Sequence, residues 1–195
     1  MSPLPNDERR ALLETARRAI VELVQDERFF IPPASSNTPA KSSGVFITLR
    51  RRGRLRGCIG QMDPVEPLLQ AVAYCAGAAA REDRRFEAVR LEEVAELEIE
   101  ISVLSPLARV VSEEIEVGRH GLLVTRGRQR GLLLPQVAAE HRWTRERFLE
   151  ETCVKGGMDR DAWKESGTRI EAFTAEVFSE AEFRAESRSK AGGMY

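Results

Sequence analysis

The first part of the chain carries the apolar periodicity of helices. After Asn6, a residue type that favours helix N-caps, apolar side chains recur at spacings of three and four, with Arg and Glu between them. This stripe comprises Leu12, Leu13, Ala16, Ala19, Ile20, Leu23 and Val24. Strong helix formers, many of them alanines, fill 65–81. The pattern predicts an amphipathic helix after Asn6 and a second, closely packed helix over 65–81.

Alternation of apolar and polar residues marks the strands. It runs through 44–51 and resumes over 55–60, which predicts a β-hairpin with Gly53 in its turn. The cleanest half-buried strand is predicted over 97–103, where apolar residues alternate with Glu and Ser. Further predicted elements are a second hairpin over 120–134, short helices after Pro135, after Thr144 and around 161–165, and a last strand over 169–178.

The order of these elements predicts the fold class. Hairpins mixed with helices, without a β-α-β rhythm, are typical of the α+β class. No apolar pattern continues beyond about residue 184. We therefore expect one domain over 1–183 and a disordered C-terminal tail over 184–195.

Composition narrows the class of protein. With 42% hydrophobic and 31% charged residues, the 195-residue chain has the make-up of a soluble globular protein. Thirty Lys+Arg against 31 Asp+Glu disfavour a globally basic nucleic-acid binder. No apolar stretch approaches the ~20 residues of a membrane span, and no apolar leader begins the chain. Three cysteines without a C-x-x-C pair disfavour a disulfide framework and a zinc ribbon. We expect a cytoplasmic protein.

One hexapeptide, 55–60, combines residue types that suit chemistry. On a strand, residues two apart share a face, so Arg56 and Cys58 are expected to project together. A guanidinium near a thiol favours the thiolate, which is the nucleophilic form. Gly57 and Gly60 weaken a strand but let a ligand or another backbone approach closely. The alternative is structural: Cys58 fills a gap in the core and Arg56 forms a salt bridge.

The same segment resembles the signature of the AMMECR domain family. Leu55-Arg56-Gly57-Cys58-Ile59-Gly60 is its most specific part. Other segments match in the same order as in the family, and the resemblance as a whole covers about residues 8 to 183. The resemblance implies an antiparallel sheet flanked by helices, with a smaller subdomain and a cleft between the two parts near the hexapeptide. It also implies, from the gene neighbours of microbial relatives, a Memo-type protein and a radical SAM protein as partners, as in the AmmeMemoRadiSam system.

Four other residues are candidate binding residues. His120 would suit an activated cysteine as a base, or it is simply structural. Asp83 and Arg85 share a face if extended, and they bind a ligand or form an ion pair that pins their loop. Gln136 follows Pro135 in a helix first turn, where free N–H groups receive anions. No ligand pair has metal-site spacing, and no cofactor is indicated.

Three local charge clusters, two of arginine and one of glutamate, are interpreted as solvated surface. The arginines at the hairpin turns leave an anionic partner conceivable, although the interleaved aromatic residues of a single-strand binder are absent. A run of glutamates is predicted to face solvent: Glu92, Glu93, Glu96, Glu98 and Glu100.

The sequence thus favours an enzyme, or an enzyme component, that acts on a small anionic metabolite. Cys58 would supply the thiol, and Arg56 would hold the thiolate or the anionic group of the substrate. The alternative is a non-catalytic adaptor that docks a Memo-type or radical SAM partner.

Overall fold

The structure is a computed structural model that describes residues 3–33, 43–62 and 65–191, the last six by their backbone alone. Its helices, in chain order, are α1 (Asn6–Asp26), α2 (Leu68–Arg81), α3 (Leu91–Val94), α4 (Pro135–Glu140), α5 (Arg145–Lys155) and α6 (Glu180–Ala191). Its strands are β1 (Val45–Arg51), β2 (Arg54–Gln61), β3 (Leu97–Leu104), β4 (Ala108–Arg109), β5 (His120–Arg126), β6 (Gln129–Leu133) and β7 (Arg169–Ser179). Single turns of 3₁₀ helix cover Ser112–Glu114 and Ala162–Lys164.

The chain divides into two compact units, Met1–Val103 with Glu176–Tyr195, and Leu104–Ala175. In the first unit, β1 pairs antiparallel with β2 on one side and with β3 on the other. The apolar face of these strands packs with α1 and α2, because alternate residues of β1 and β3 all point to one side. Its fully buried members are Val45, Ile47, Leu49, Ile99 and Ile101.

The second unit is built around β5, which pairs antiparallel with β6 and β7, while β4 pairs with the other edge of β7. Phe148 and Leu149 of α5 are fully buried against Leu122 and Ala172 of these strands. Thr144 caps α5 by accepting a hydrogen bond from the amide of Arg147, as the sequence predicts. Mixed helices and antiparallel strands in both units confirm the α+β class.

Two helix ends differ from the sequence prediction. Pro5, not Asn6, is the N-cap of α1: its ring fixes φ at −56°, its ψ of 151° lies outside the helical range, and Asn6 is already helical. The segment expected to be disordered from 184 is covered as far as Ala191 by α6. Its alanines, glutamates and arginines are good helix formers, and Phe183 packs against the core of the first unit. Residues 192–195 lie outside the described part of the chain.

Within the described ranges, none of the helices combines the length and the apolar character that crossing a membrane requires.

Candidate functional site

The β1–β2 hairpin presents the hexapeptide, and its turn is set by two residues. Arg52 and Gly53 have φ values of 51° and 75°, the left-handed pair of a tight two-residue hairpin turn. Gly53 adopts this conformation without a steric penalty, as the sequence predicts. The turn therefore fixes the start of the strand pairing.

A β-bulge then interrupts the hairpin. Arg50 pairs with Leu55, but the next pair is Leu49 with Gly57, so Arg56 is an extra residue without a direct partner. A bulge bends its strand and re-aims the side chains at that point. The simple alternation that predicts Arg56 and Cys58 as a pair does not hold across it.

Beyond the bulge, Cys58 lies directly opposite Thr48 of β1. The Thr48 hydroxyl donates a hydrogen bond to Cys58 Sγ over 3.4 Å. Cys58 is a half-buried free cysteine, whereas Thr48 is buried. The Thr48 hydroxyl is thus a fixed donor beside the sulfur of the hexapeptide cysteine.

The loop after α2 brings a carboxylate and a guanidinium to the same cysteine. Asp83 Oδ2 accepts from the Cys58 amide at 2.8 Å, and the Arg85 side chain chelates both carboxylate oxygens at 2.7 and 2.9 Å. Arg85 Nη2 also approaches the Cys58 carbonyl at 3.4 Å. Cys58, Asp83 and Arg85 therefore form one group within the first unit.

The protonation state of this group follows from its contacts. Hydrogen bonds from the Arg85 side chain, and secondarily from the amides of Cys58 and Arg85, lower the pKa of Asp83 to about 2. The hydrogen bonds to Asp83 raise the pKa of Arg85, and the Cys58 side chain adds to this effect. At neutral pH the site holds a carboxylate and a guanidinium.

Arg56 is engaged elsewhere, which corrects its predicted pairing with Cys58. Its Nε and Nη2 donate to the two carboxylate oxygens of Glu93 at 3.1 and 2.9 Å, and Nη1 donates to the carbonyl of Glu87. Glu93 also accepts from Arg51 and is buried, so it is not part of the solvent face predicted for the glutamate run. The bulge and this buried carboxylate together draw Arg56 away, and Arg85 is the arginine beside Cys58.

The two glycines of the hexapeptide allow close approach by the chain itself. A Cβ on Gly57 would lie 2.2 Å from the Ala79 carbonyl oxygen of α2. A Cβ on Gly60 would lie 2.3 Å from the ring of Phe46, its cross-strand partner. Of the two alternatives left open by the sequence, a ligand or another part of the protein, the structure shows the second at both positions.

His120 and Gln136 belong to the second unit. His120 Nδ1 accepts a hydrogen bond from the Glu116 amide at 3.1 Å and so closes the turn before β5. Gln136 lies in the first turn of α4, and its Oε1 is buried without a hydrogen-bond partner among the described residues. A binding role for these two residues remains a prediction.

Thr48 is a member of the site that the sequence did not predict. A hairpin without a bulge would pair Thr48 with Gly57. The sequence near the turn contains no pattern that predicts the extra residue. Among the described side chains, no three His, Cys, Asp or Glu gather as metal ligands would. The arrangement instead offers a thiol, a hydroxyl that donates to it and an exposed guanidinium.

Comparison with known proteins gives consistent matches. A family model described as AMMECR1 matches residues 13–178. A protein of Methanothermobacter thermautotrophicus is 41% identical over 187 residues, which cover 92% of this chain and 97% of the relative. A protein of Thermococcus kodakarensis is 42% identical over 191 residues, which cover 92% and 93%.

A solved structure is also similar. The crystal structure of uncharacterized protein PH0010 from Pyrococcus horikoshii superposes with a TM-score of 0.81 at 41% identity, and the match covers 87% of this chain and 89% of that one.

Proposed function

This chain belongs to the AMMECR1 family, and from that premise we propose that it is an enzyme, or an enzyme component, that acts on a small anionic metabolite through the Cys58 thiol. After the thiol loses its proton to water, the sulfur adds to an electrophilic carbon of the ligand, and the π electrons of that carbon move to its oxygen. An arginine holds the anionic group, and in this structure the arginine at Cys58 is Arg85.

The observation that carries the proposal is the contrast between Cys58 and the other two cysteines. Cys58 is half-buried and its sulfur accepts a hydrogen bond from the Thr48 hydroxyl, whereas Cys75 and Cys153 are fully buried. Burial raises the pKa of Cys75 to about 12 and raises that of Cys153 as well. Reactive cysteines sit in partly exposed sites near cations, and Cys58 alone of the three has both features.

We propose the cytoplasm as the location. All three cysteines are free, which is typical of a reducing compartment, where glutathione and thioredoxin keep thiols reduced.

The first experiment is alkylation of the native protein with iodoacetamide at pH 7.5, followed by peptide mass spectrometry of each cysteine. We expect Cys58 to react at least ten times faster than Cys75 and Cys153, which serve as internal controls. If all three react only when urea unfolds the protein, Cys58 is a packing residue and the proposal fails.

The alternative is an adaptor that docks a Memo-type or a radical SAM protein. It is favoured by exposed apolar side chains in the first unit, Phe29, Ile31 and Tyr74, which line a surface hollow of about 470 Å³. Clustered exposed apolar side chains are one feature of protein interaction sites.

A purified Memo-type or radical SAM protein, mixed with this chain and passed over a sizing column, tests the alternative. An adaptor is expected to co-elute with its partner, to tolerate Cys58→Ser, and to lose binding in Tyr74→Glu. Failure to co-elute with either protein removes the adaptor alternative for that partner.

A further inference from the structure

We infer that Asp83 is the positioning residue of this site, and that it aims the remaining donors of Arg85 at an oxyanion of the ligand. This inference rests on the proposed function of Cys58. It adds the residue that decides which ligands the site accepts, namely those that carry a carboxylate or a phosphate oxygen beside the reacting carbon.

Asp83 is saturated by contacts within the protein. Each carboxylate oxygen accepts two hydrogen bonds: Oδ2 from the Cys58 amide and Arg85 Nη2, and Oδ1 from Arg85 Nε and the Arg85 amide. Its side chain is only 6% exposed. Asp83 therefore has no capacity to bind a ligand directly, but it fixes the backbone of Cys58 and the plane of the Arg85 guanidinium at once.

Arg85 has the opposite character. Its side chain is 55% exposed, and Nη1 makes no hydrogen bond to any residue in the described ranges. The guanidinium carbon lies 5.5 Å from the centre of the Phe86 ring. Two N–H donors on a group held at its other end are thus available to one oxygen of an anion, in the directed geometry that guanidinium groups provide.

The contrast with Arg56 supports the assignment. Arg56 is 15% exposed, and all three of its guanidinium nitrogens donate to Glu93 or to the carbonyls of Glu87 and Ala88. An arginine that serves only to hold a loop in place would resemble Arg56, because all of its guanidinium nitrogens would donate to groups of the protein. Arg85, by contrast, is 55% exposed, and its Nη1 group donates to no residue in the described ranges.

A pair of alkylating reagents tests the inference without knowledge of the natural ligand. Iodoacetate and iodoacetamide both transfer a two-carbon group to the thiolate with loss of iodide, and they differ in carrying a carboxylate or a neutral amide. The rate of iodoacetate relative to iodoacetamide at Cys58, read by peptide mass spectrometry, reports anion recognition. The variants are Asp83→Asn, Arg85→Gln and Arg85→Lys, with Arg56→Gln as the matched control.

We expect the rate ratio to fall at least threefold in Asp83→Asn and Arg85→Gln, and to stay at the wild-type value in Arg56→Gln. It should also fall in Arg85→Lys, because an ammonium keeps the charge but lacks the planar pair of N–H groups that matches both oxygens of Asp83. If Asp83→Asn fails to fold, Arg85→Lys alone decides, since its substitution lies at an exposed side chain.

The results separate the inference from the proposed function. A wild-type ratio in Arg85→Lys means that charge alone attracts the reagent and overturns the positioning role of Asp83. A wild-type ratio in Arg85→Gln reduces the Asp83–Arg85 pair to a loop anchor while Cys58 remains reactive. A native Cys58 that reacts with neither reagent refutes the proposed function itself.

Discussion

Arg56 and Glu93 form a two-point ion pair, with Nε–Oε1 and Nη2–Oε2 distances of 3.1 and 2.9 Å. The same carboxylate accepts from Nη1 of Arg51 and from the amide of Arg90 at the start of α3. One buried glutamate thus ties both strands of the β1–β2 hairpin to the segment that leads into β3. The hexapeptide arginine contributes to the stability of the hairpin rather than to the thiol site.

This arrangement predicts a large cost for Glu93→Gln. The substitution leaves Arg51 and Arg56 without their buried counter-charge, and breaking a buried pair costs about 3 kcal/mol. Glu96 is the matched control, because it also binds Arg51 but is 35% exposed, and Glu96→Gln should lower the free energy of unfolding by clearly less. Urea denaturation at pH 7 measures both free energies of unfolding, and equal losses would contradict the role of Glu93.

Acid should destabilise the fold over a defined range of pH. The Arg56 side chain, together with the Arg90 amide and the charge of Arg51, lowers the pKa of Glu93 from 4.5 to about 2, and that of Asp83 falls from 3.8 to about 2. A carboxylate whose pKa is depressed by folding stabilises the native state above its unfolded pKa. That stability is lost as pH falls from about 4.5 towards 2, by about 2–3 kcal/mol for each group.

Urea midpoints measured at pH 5.5 and at pH 2.5 test this dependence. The decrease in the urea midpoint from pH 5.5 to pH 2.5 should be smaller in Glu93→Gln and in Asp83→Asn than in the wild type, because each variant removes one of the titrating groups. An unchanged loss in both variants would assign the acid sensitivity to other carboxylates.

The close approach of β2 to α2 predicts that any larger residue in place of Gly57 destabilises the fold. In Gly57→Ala the added Cβ would lie 2.2 Å from the carbonyl oxygen of Ala79. Both groups belong to backbone, so relief of this clash requires a shift of β2 or of α2. We expect a loss of about 3 kcal/mol, at the upper end for overpacking. Gly53→Ala is the comparison, since an added Cβ at Gly53 would meet nothing within 4 Å, and only the φ of 75° at this position opposes the substitution. That variant should lose about 1 kcal/mol in the same urea denaturation, and a smaller effect of Gly57→Ala than of Gly53→Ala would contradict the packing argument.

Removal of the Thr48 hydroxyl should slow the reaction of Cys58. Thr48→Val keeps the shape of the side chain but loses the donor that lies 3.4 Å from Sγ, so the sulfur loses the hydrogen bond that holds it in place. We expect the rate of iodoacetamide alkylation of Cys58 at pH 7.5 to fall several-fold. Thr48→Ser retains the hydroxyl and should react close to the wild-type rate; equal rates in the two variants would remove Thr48 from the site.

The amino-acid sequence by itself determined the main helices and strands and the family of this protein. Periodicity predicted α1, the β1–β2 hairpin and β3, because side-chain direction along a helix or strand is set by local backbone geometry. The hexapeptide around Cys58 was enough to indicate the AMMECR1 family. The left-handed conformation of Gly53 was likewise predictable from the turn alone.

The tertiary structure decided which side chains meet at Cys58. One bulged residue, Arg56, shifts the register so that Thr48 faces Cys58 instead of Gly57, and the sequence carries no local signal of this shift. Which arginine lies beside Cys58 depends on two buried carboxylates, Glu93 and Asp83, which contact the hairpin from later segments of the chain. Ion pairing depends on distance in space, so only the packed fold could assign Arg56 to Glu93 and Arg85 to the site.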